Sequence, residues 1–227
     1  MLGTIVNCAA ILLGGGLGLL LRKGLPEKLS GAITQGVGLI VLYIGISGSL
    51  KGQNALIATV AMVVGAVIGT LLDLDGKINA LAHTLERHIV KNEAPGSTFG
   101  EGFVTATLLF CVGAMAVVGS LNSGLTGDNQ VLFTKSVLDG VSSIVFASAL
   151  GGGVLLSALP VLLYQGAITL LAQVLAPVLS DAAVAEMTCV GSLLIIAIGT
   201  NMLKITNIKV MNFVPAIFLP ILLCLFM

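Results

Sequence analysis

Long apolar runs separated by short polar connections pattern this chain from end to end. A helix needs about twenty mostly apolar residues to cross a bilayer. Runs of that kind recur at Leu2–Leu21, Ile33–Leu50, Leu56–Leu72, Phe103–Leu121, Val137–Leu156, Leu159–Leu179, Val184–Leu203 and Val214–Met227. They predict an all-α fold, a polytopic transmembrane helical bundle of about eight spans. The last run is short, and the break inside Leu150–Leu175 rests on Pro160 alone, so seven crossings is the alternative. The one sizeable polar stretch is GKINALAHTLERHIVKNEAPGS. There Ile78, Leu81, Ala82, Leu85 and Ile89 recur at helical spacing, with His83, Glu86, Arg87 and Lys91 around the rest of the wheel, which predicts an amphipathic helix on the membrane surface. The chain thus divides into a first transmembrane unit of three spans (1–75), an amphipathic linker helix (76–98) and a second unit of four to five spans (99–227).

Composition reinforces the class. Hydrophobic residues make up 57% of the chain and charged ones 9%, against about 45–50% and about 25% in soluble domains. The lipid bilayer is therefore the first expected partner. Ten basic residues balance ten acidic ones, which leaves no excess of Lys and Arg to neutralise phosphates and argues against a nucleic-acid role. Cys8, Cys111, Cys189 and Cys224 sit in apolar runs without a CxxC, so neither a disulfide framework nor a zinc site is expected. Both histidines fall on the amphipathic segment, and no G-x-S-x-G, Walker or H-E-x-x-H motif occurs. The expectation is a protein that is not an enzyme and has no cofactor or metal. The odd-numbered connections carry Arg22, Lys23, Lys28, Lys77, Arg87, Lys91, Lys204 and Lys209, and the even-numbered ones Lys51 and Lys135. Because cytoplasmic loops retain positive charge, this bias places both termini outside and the amphipathic helix in the cytoplasm.

The chemistry concentrates in Lys135–Leu156, KSVLDGVSSIVFASALGGGVLL. A charge at the bilayer centre costs about 2.5–3.5 kcal/mol on insertion scales, so Lys135 and Asp139 at i, i+4 either serve a function or sit at the membrane edge. Asp139, placed near a helix N-terminus and neutralised by Lys135, is a substrate or proton site on one reading and an interfacial cap with a snorkelling lysine on the other. Ser136 lies between them, and Asn7 is a polar residue deep in the first run. Glycines 14–16 and 151–153 form two triplets, and three glycines in succession weaken a helix enough to permit a break that exposes backbone dipoles. Gly14, Gly15, Gly151 and Gly152 accordingly join the candidate site. Gly3–Leu19 aligns with Gly140–Leu156, and Thr34–Gly45 with Thr188–Gly199, which suggests an internal duplication. On the eight-span topology the first match keeps its direction and the second inverts it.

The blocks GTIVNCAAILLGGGLGLLL, LFCVGAMAVVGSLNSGLTGD and KSVLDG resemble those of the YdfK/YqgA-like bacterial inner-membrane proteins, a family of unknown function. The resemblance covers essentially the whole chain and implies a multi-pass protein of the bacterial cytoplasmic (inner) membrane. It supplies no substrate or catalytic residue, and its recurring blocks fall on Asn7, Gly14, Gly113, Gly127, Asp128, Lys135, Ser136 and Asp139. Duplication, breakable glycine segments and an intramembrane charge pair together lead to the expectation of a homo-oligomeric transporter for an unknown small solute or ion. A passive channel and a non-transporting structural or regulatory protein are the alternatives.

Overall fold

The computed structural model describes residues 1–22, 26–78, 80, 84 and 98–226. Every regular element among them is helical: α1 (Leu2–Arg22), α2 (Glu27–Ser49), α3 (Ala55–Leu71), α4 (Phe99–Cys111), α5 (Ala114–Leu125), α6 (Gln130–Leu150), α7 (Gly153–Leu156), α8 (Ala158–Leu170), α9 (Ala172–Leu175), α10 (Asp181–Met202), a 3-10 segment (Val210–Ile217) and α11 (Leu219–Phe226). The amphipathic segment lies almost wholly outside the described residues. Five helices are long and apolar enough to cross a membrane, and the bent pair α4–α5 makes a sixth if it counts as one span. By length, the expected eight is not reached. Ala55–Leu71 and Val210–Leu225 are apolar but shorter.

Large apolar side chains cover the outer surface; Leu13, Leu20, Leu50, Leu71 and Val174 are all well over half exposed. In water that surface would drive aggregation, whereas hydrocarbon solvates it. The interior holds an apolar core that includes Ile11, Phe110, Leu150 and Leu194, together with buried polar residues and glycines at the helix contacts. In lipid, where both faces of a helix can be apolar, association depends on close backbone approach rather than on a hydrophobic drive.

Glycines set the helix pairing. A Cβ on Gly14 would land on the Gly140 carbonyl oxygen and one on Gly18 on that of Ile144, so α1 and α6 run side by side in the same direction. Gly45 meets Ile196 while Gly199 meets Leu42, and Gly38 meets Leu203, which makes α2 and α10 antiparallel. Gly65 against Ala216 and Gly69 against Asn212 dock α3 antiparallel on the 3-10 segment. Each helix of residues 1–75 therefore packs on one from 99–227. The Thr34–Gly45/Thr188–Gly199 match falls on an antiparallel, mutually packed pair, and the Gly3–Leu19/Gly140–Leu156 match on parallel helices.

The fourth, fifth and sixth apolar runs are bounded differently from the expectation. The fifth run becomes α6, which begins at Gln130 rather than Val137, because Asp128 Oδ1 accepts the Gln130 N–H at 2.9 Å and starts the helix early. It ends at Gly151, whose φ of +86° is easy only for glycine. Pro160 is not the break. It sits in the first turn of α8, where a missing N–H costs little, so the sixth apolar element is Gly153–Leu170 rather than Leu159–Leu179. The fourth run is not one helix; it splits at Val112-Gly113 into two that are bent by 59°. Gly14–Gly16, expected to be breakable, stays inside continuous α1.

Candidate functional site

The early start of α6 moves Lys135 and Asp139 away from the helix terminus. Asp139 stands at the middle of Gln130–Leu150 rather than near its N-terminus, and Lys135 is a mid-helix residue rather than a loop lysine. Lys135 Nζ donates to Asp139 Oδ2 at 2.5 Å, and the two side chains are only 7% and 9% exposed. The close seating of Gly14 on Gly140 brings α1 near enough for Asn7 Nδ2 to donate to the same Asp139 oxygen at 2.9 Å. Asn7 Nδ2 also approaches Gln165 Oε1 of α8 at 3.4 Å. One carboxylate oxygen thus receives a cation and an amide, the arrangement a buried charge requires.

On the other side of the pair, Lys135 Nζ lies 5.9 Å from the centroid of the Phe110 ring, a cation–π contact. Phe110 in turn packs on Phe146, with ring centroids 6.3 Å apart. Just beyond Phe110 the helix breaks. Gly113 has φ +130° and ψ 149°, a conformation essentially reserved for glycine. The preceding Val112 is extended, and its side chain fills the notch that Gly191 leaves in α10. The break leaves the carbonyl end of α4 and the N–H end of α5 facing each other at the level of the ion pair, with partial negative and positive charge respectively. A cavity of about 420 Å³ opens against the break, with Lys135, Asp139, Ser142, Thr188 and Ser192 among its walls.

Of the residues singled out from sequence, Asn7, Lys135 and Asp139 converge. Ser136 is one turn from the cluster's centre but spends its hydroxyl on the Leu132 carbonyl, 2.7 Å away. Gly14 seats α1 on α6, and a Cβ on Gly15 would strike Leu155. Gly151 and Gly152 lie at the far end of α6, about 18 Å from Asp139 at 1.5 Å per residue, where a Cβ on Gly151 would meet the Arg22 guanidinium. The residues that sequence reasoning left out are Gln165, Phe110 and the Val112-Gly113 break. Gln165 is a polar residue in an apolar run and was visible as such; nothing in the sequence pairs it with Asn7.

Glu186 serves differently. Its Oε1 accepts the Gln53 and Asn54 N–H groups at 2.6 and 2.8 Å, which fastens the α2–α3 turn to α10. Among the described residues, the loop cations gather at one end of the bundle. Arg22 bonds Thr98 Oγ1 at 3.3 Å there, and Arg22 and Lys204 flank one cleft while Lys209 flanks the next. Lys51 stands at the opposite end. We call these the basic face and the lysine-poor face.

Fold and site together define an all-helical, multi-pass membrane protein with a buried ion pair beside a broken helix. The chain belongs to the family described as "Protein of unknown function (DUF554)", whose model matches residues 2–225. It is 30% identical over 224 residues to the uncharacterized membrane protein YdfK of Bacillus subtilis (strain 168), covering 97% of this chain and 94% of that protein. It is 35% identical over 222 residues to the uncharacterized protein YqgA of Escherichia coli (strain K12), covering 96% and 94%. No solved structure matches it.

Proposed function

We propose that this protein is a transporter of a small solute or ion in the bacterial cytoplasmic membrane. The observation that carries the reading is the helix break at Val112-Gly113 set beside the buried Lys135–Asp139 pair on the wall of one cavity. Half-helix ends at mid-membrane depth are how secondary transporters hold charged substrates, and a buried intramembrane charge pair is functional by default because inert sequence avoids its cost. A cavity of about 420 Å³ falls in the range of small-molecule sites. It offers a solute the Lys135 and Lys51 ammonium groups, a carboxylate, the hydroxyls of Ser142, Thr188 and Ser192 and both signs of helix dipole. The antiparallel pairing of α2 with α10 supports the inverted internal relation common in such proteins.

In this reading the basic face is cytoplasmic, and the start of α1 and the end of α11 lie outside. Ala55–Leu71, about 25 Å long at 1.5 Å per residue, crosses with Val210–Leu225 as a packed pair, which restores eight crossings by modest local thinning of the bilayer. The protein works as a homo-oligomer.

The test is a counterflow and uptake screen in proteoliposomes, comparing wild type with Asp139→Asn. Saturable flux that the substitution removes is the expected result. Equal flux of every solute with and without protein sinks the proposal in favour of a structural or regulatory role. Discrete, non-saturating conductance in planar bilayers marks a channel instead.

A further inference from the structure

A second polar feature leads away from the ion pair through Asn7, which bonds Asp139 and is not among the walls of the cavity. Thr4 Oγ1, Asn7 Oδ1, Ser120 Oγ, Gln165 Nε2 and Thr169 Oγ1 are all buried and have no hydrogen-bond partner. Thr4, Asn7, Ser120 and Gln165 are fully buried, and Thr169 is 7% exposed. Their register joins them. Thr4 lies one turn before Asn7 on α1 and Thr169 one turn after Gln165 on α8, so the contact between Asn7 and Gln165 continues toward the lysine-poor face along both helices. Ser120 is one turn before Ser123 on α5, and the seating of Gly124 on the Thr169 carbonyl sets that helix beside α8. At the end of the line Ser123 Oγ donates to Asn129 Oδ1 at 2.8 Å, and Gly3 N donates to the same oxygen at 3.0 Å. Seam and ion pair share one residue, Asn7, which bonds Asp139 directly.

A single orphaned hydroxyl deep in a protein is a local expense, but five in one line are a different matter. Each unsatisfied buried polar group costs roughly 1–3 kcal/mol, and a buried site rich in polar groups is where water resides, making about three hydrogen bonds per molecule. We propose that this seam holds a file of water molecules and is the route by which Asp139 exchanges protons with the lysine-poor face. The inference rests on the transporter reading and deepens it. A solute in the cavity would occupy one side of the carboxylate while a proton reaches it from the other, so proton movement and solute movement meet at Asp139 without sharing a path. Among the described residues, the titratable groups that interact with Asp139 are Lys135 on its own helix, Cys8 on α1 and Cys111 on α4, and Lys51 and Tyr43 line the cavity that it shares. The seam residues of α5 and α8 are neutral hydroxyl and amide groups, which suits a water file and adds no competing charge.

The test needs no transported solute. In a background with Cys8, Cys111, Cys189 and Cys224 replaced by alanine, single cysteines at Thr4, Ser120 and Thr169 are compared with cysteines at Ile11 and Val161, which are equally buried in apolar surroundings. A small cationic methanethiosulfonate, which reacts with thiolate in water, is expected to label the three seam positions at least about tenfold faster than the two controls, which wait for local opening. Seam rates no faster than the controls overturn the hydrated file. The proton role is read separately by infrared spectroscopy. After a jump to acid pH, the conversion of the Asp139 carboxylate band to the carboxyl band, both assigned by their loss in Asp139→Asn, is expected to be at least about tenfold slower with the isosteric Thr4→Val/Thr169→Val substitutions than without them, both measured in a Ser142→Phe background that fills the cavity whose wall Asp139 shares. Equal conversion rates overturn the seam as the route. A dry seam leaves the flux assay free to stand, and absence of flux leaves the labelling free to stand, so the two ideas fail independently.

Discussion

Asp139→Ala tests the centre of the molecule most directly. The substitution removes the only acid within salt-bridge distance of Lys135 among the described residues and leaves a side chain that is 7% exposed holding an ammonium. It also strips Asn7 Nδ2 of its 2.9 Å acceptor. Breaking a buried pair by deleting one partner costs about 3–5 kcal/mol, because the surviving charge stays desolvated. Insertion scales price a central lysine at about 2.5–3.5 kcal/mol, an overlapping range reached by another path. Replacing both partners removes that cost: Lys135→Met/Asp139→Leu keeps the volume and carries no charge, so it is expected to lie within about 1–2 kcal/mol of wild type or above it. The assay is equilibrium unfolding in mixed micelles of increasing dodecyl sulfate, followed by circular dichroism for wild type, Asp139→Ala and the double variant. A double variant much more stable than Asp139→Ala is the expected outcome. A single variant indistinguishable from wild type would refute the burial of the pair, and a double variant as weak as the single would show that the charge was not the source of the cost.

Four further outcomes follow from individual positions. Gly113→Ala places an L-residue at φ +130°, which costs about 1–3 kcal/mol, and is expected to lower the thermal midpoint and to abolish any flux that Asp139→Asn abolishes. Gly14→Ala sets a Cβ on the Gly140 carbonyl oxygen, whereas Gly140→Ala meets Ala10 Cβ at 3.3 Å; the first is expected to destabilise by at least about 1 kcal/mol more than the second, from overpacking of a rigid backbone. Gly16→Ala, with nothing within 4 Å of the new methyl, is expected to stabilise by about 0.5–1 kcal/mol through helix propensity, measured in the same micelle titration. Glu186→Ala leaves the Gln53 and Asn54 N–H groups without their acceptor and is expected to cost about 2–4 kcal/mol, given roughly 1.5–3 kcal/mol for each bond to a charged group and incomplete additivity. Glu186→Gln, which keeps an oxygen in place, is expected to recover most of that loss.

Class and components were legible in the residues. Hydropathy alone marks the membrane class and the apolar helices, because lipid offers no partner to a backbone N–H or C=O and forces long apolar helices, although five or six of them rather than eight are long enough to cross. The i, i+4 spacing of Lys135 and Asp139 places them within reach on any helix that contains both. The positions of the breaks were not legible. Three consecutive glycines at 14–16 stay helical, since Gly140 and Leu155 close on Gly14 and Gly15 and hold the backbone. A lone glycine at 113, set among apolar residues, breaks because Val112 docks into the Gly191 notch. Propensity sets what a glycine permits, and its neighbours decide whether it is used.

The sequence by itself determined that this chain lives in a membrane, that it is helical, that its cations favour one set of loops and that one helix carries an ion pair. Only the tertiary structure decided that the pair stands at mid-helix rather than at an edge, that Asn7 reaches it from the first helix with Gln165 behind it, and that the α4–α5 break opens beside it. The reason is physical. A helix pattern encodes contacts three and four residues apart, whereas contacts between helices depend on which small residues let two backbones approach, and that information belongs to pairs of surfaces rather than to either run alone.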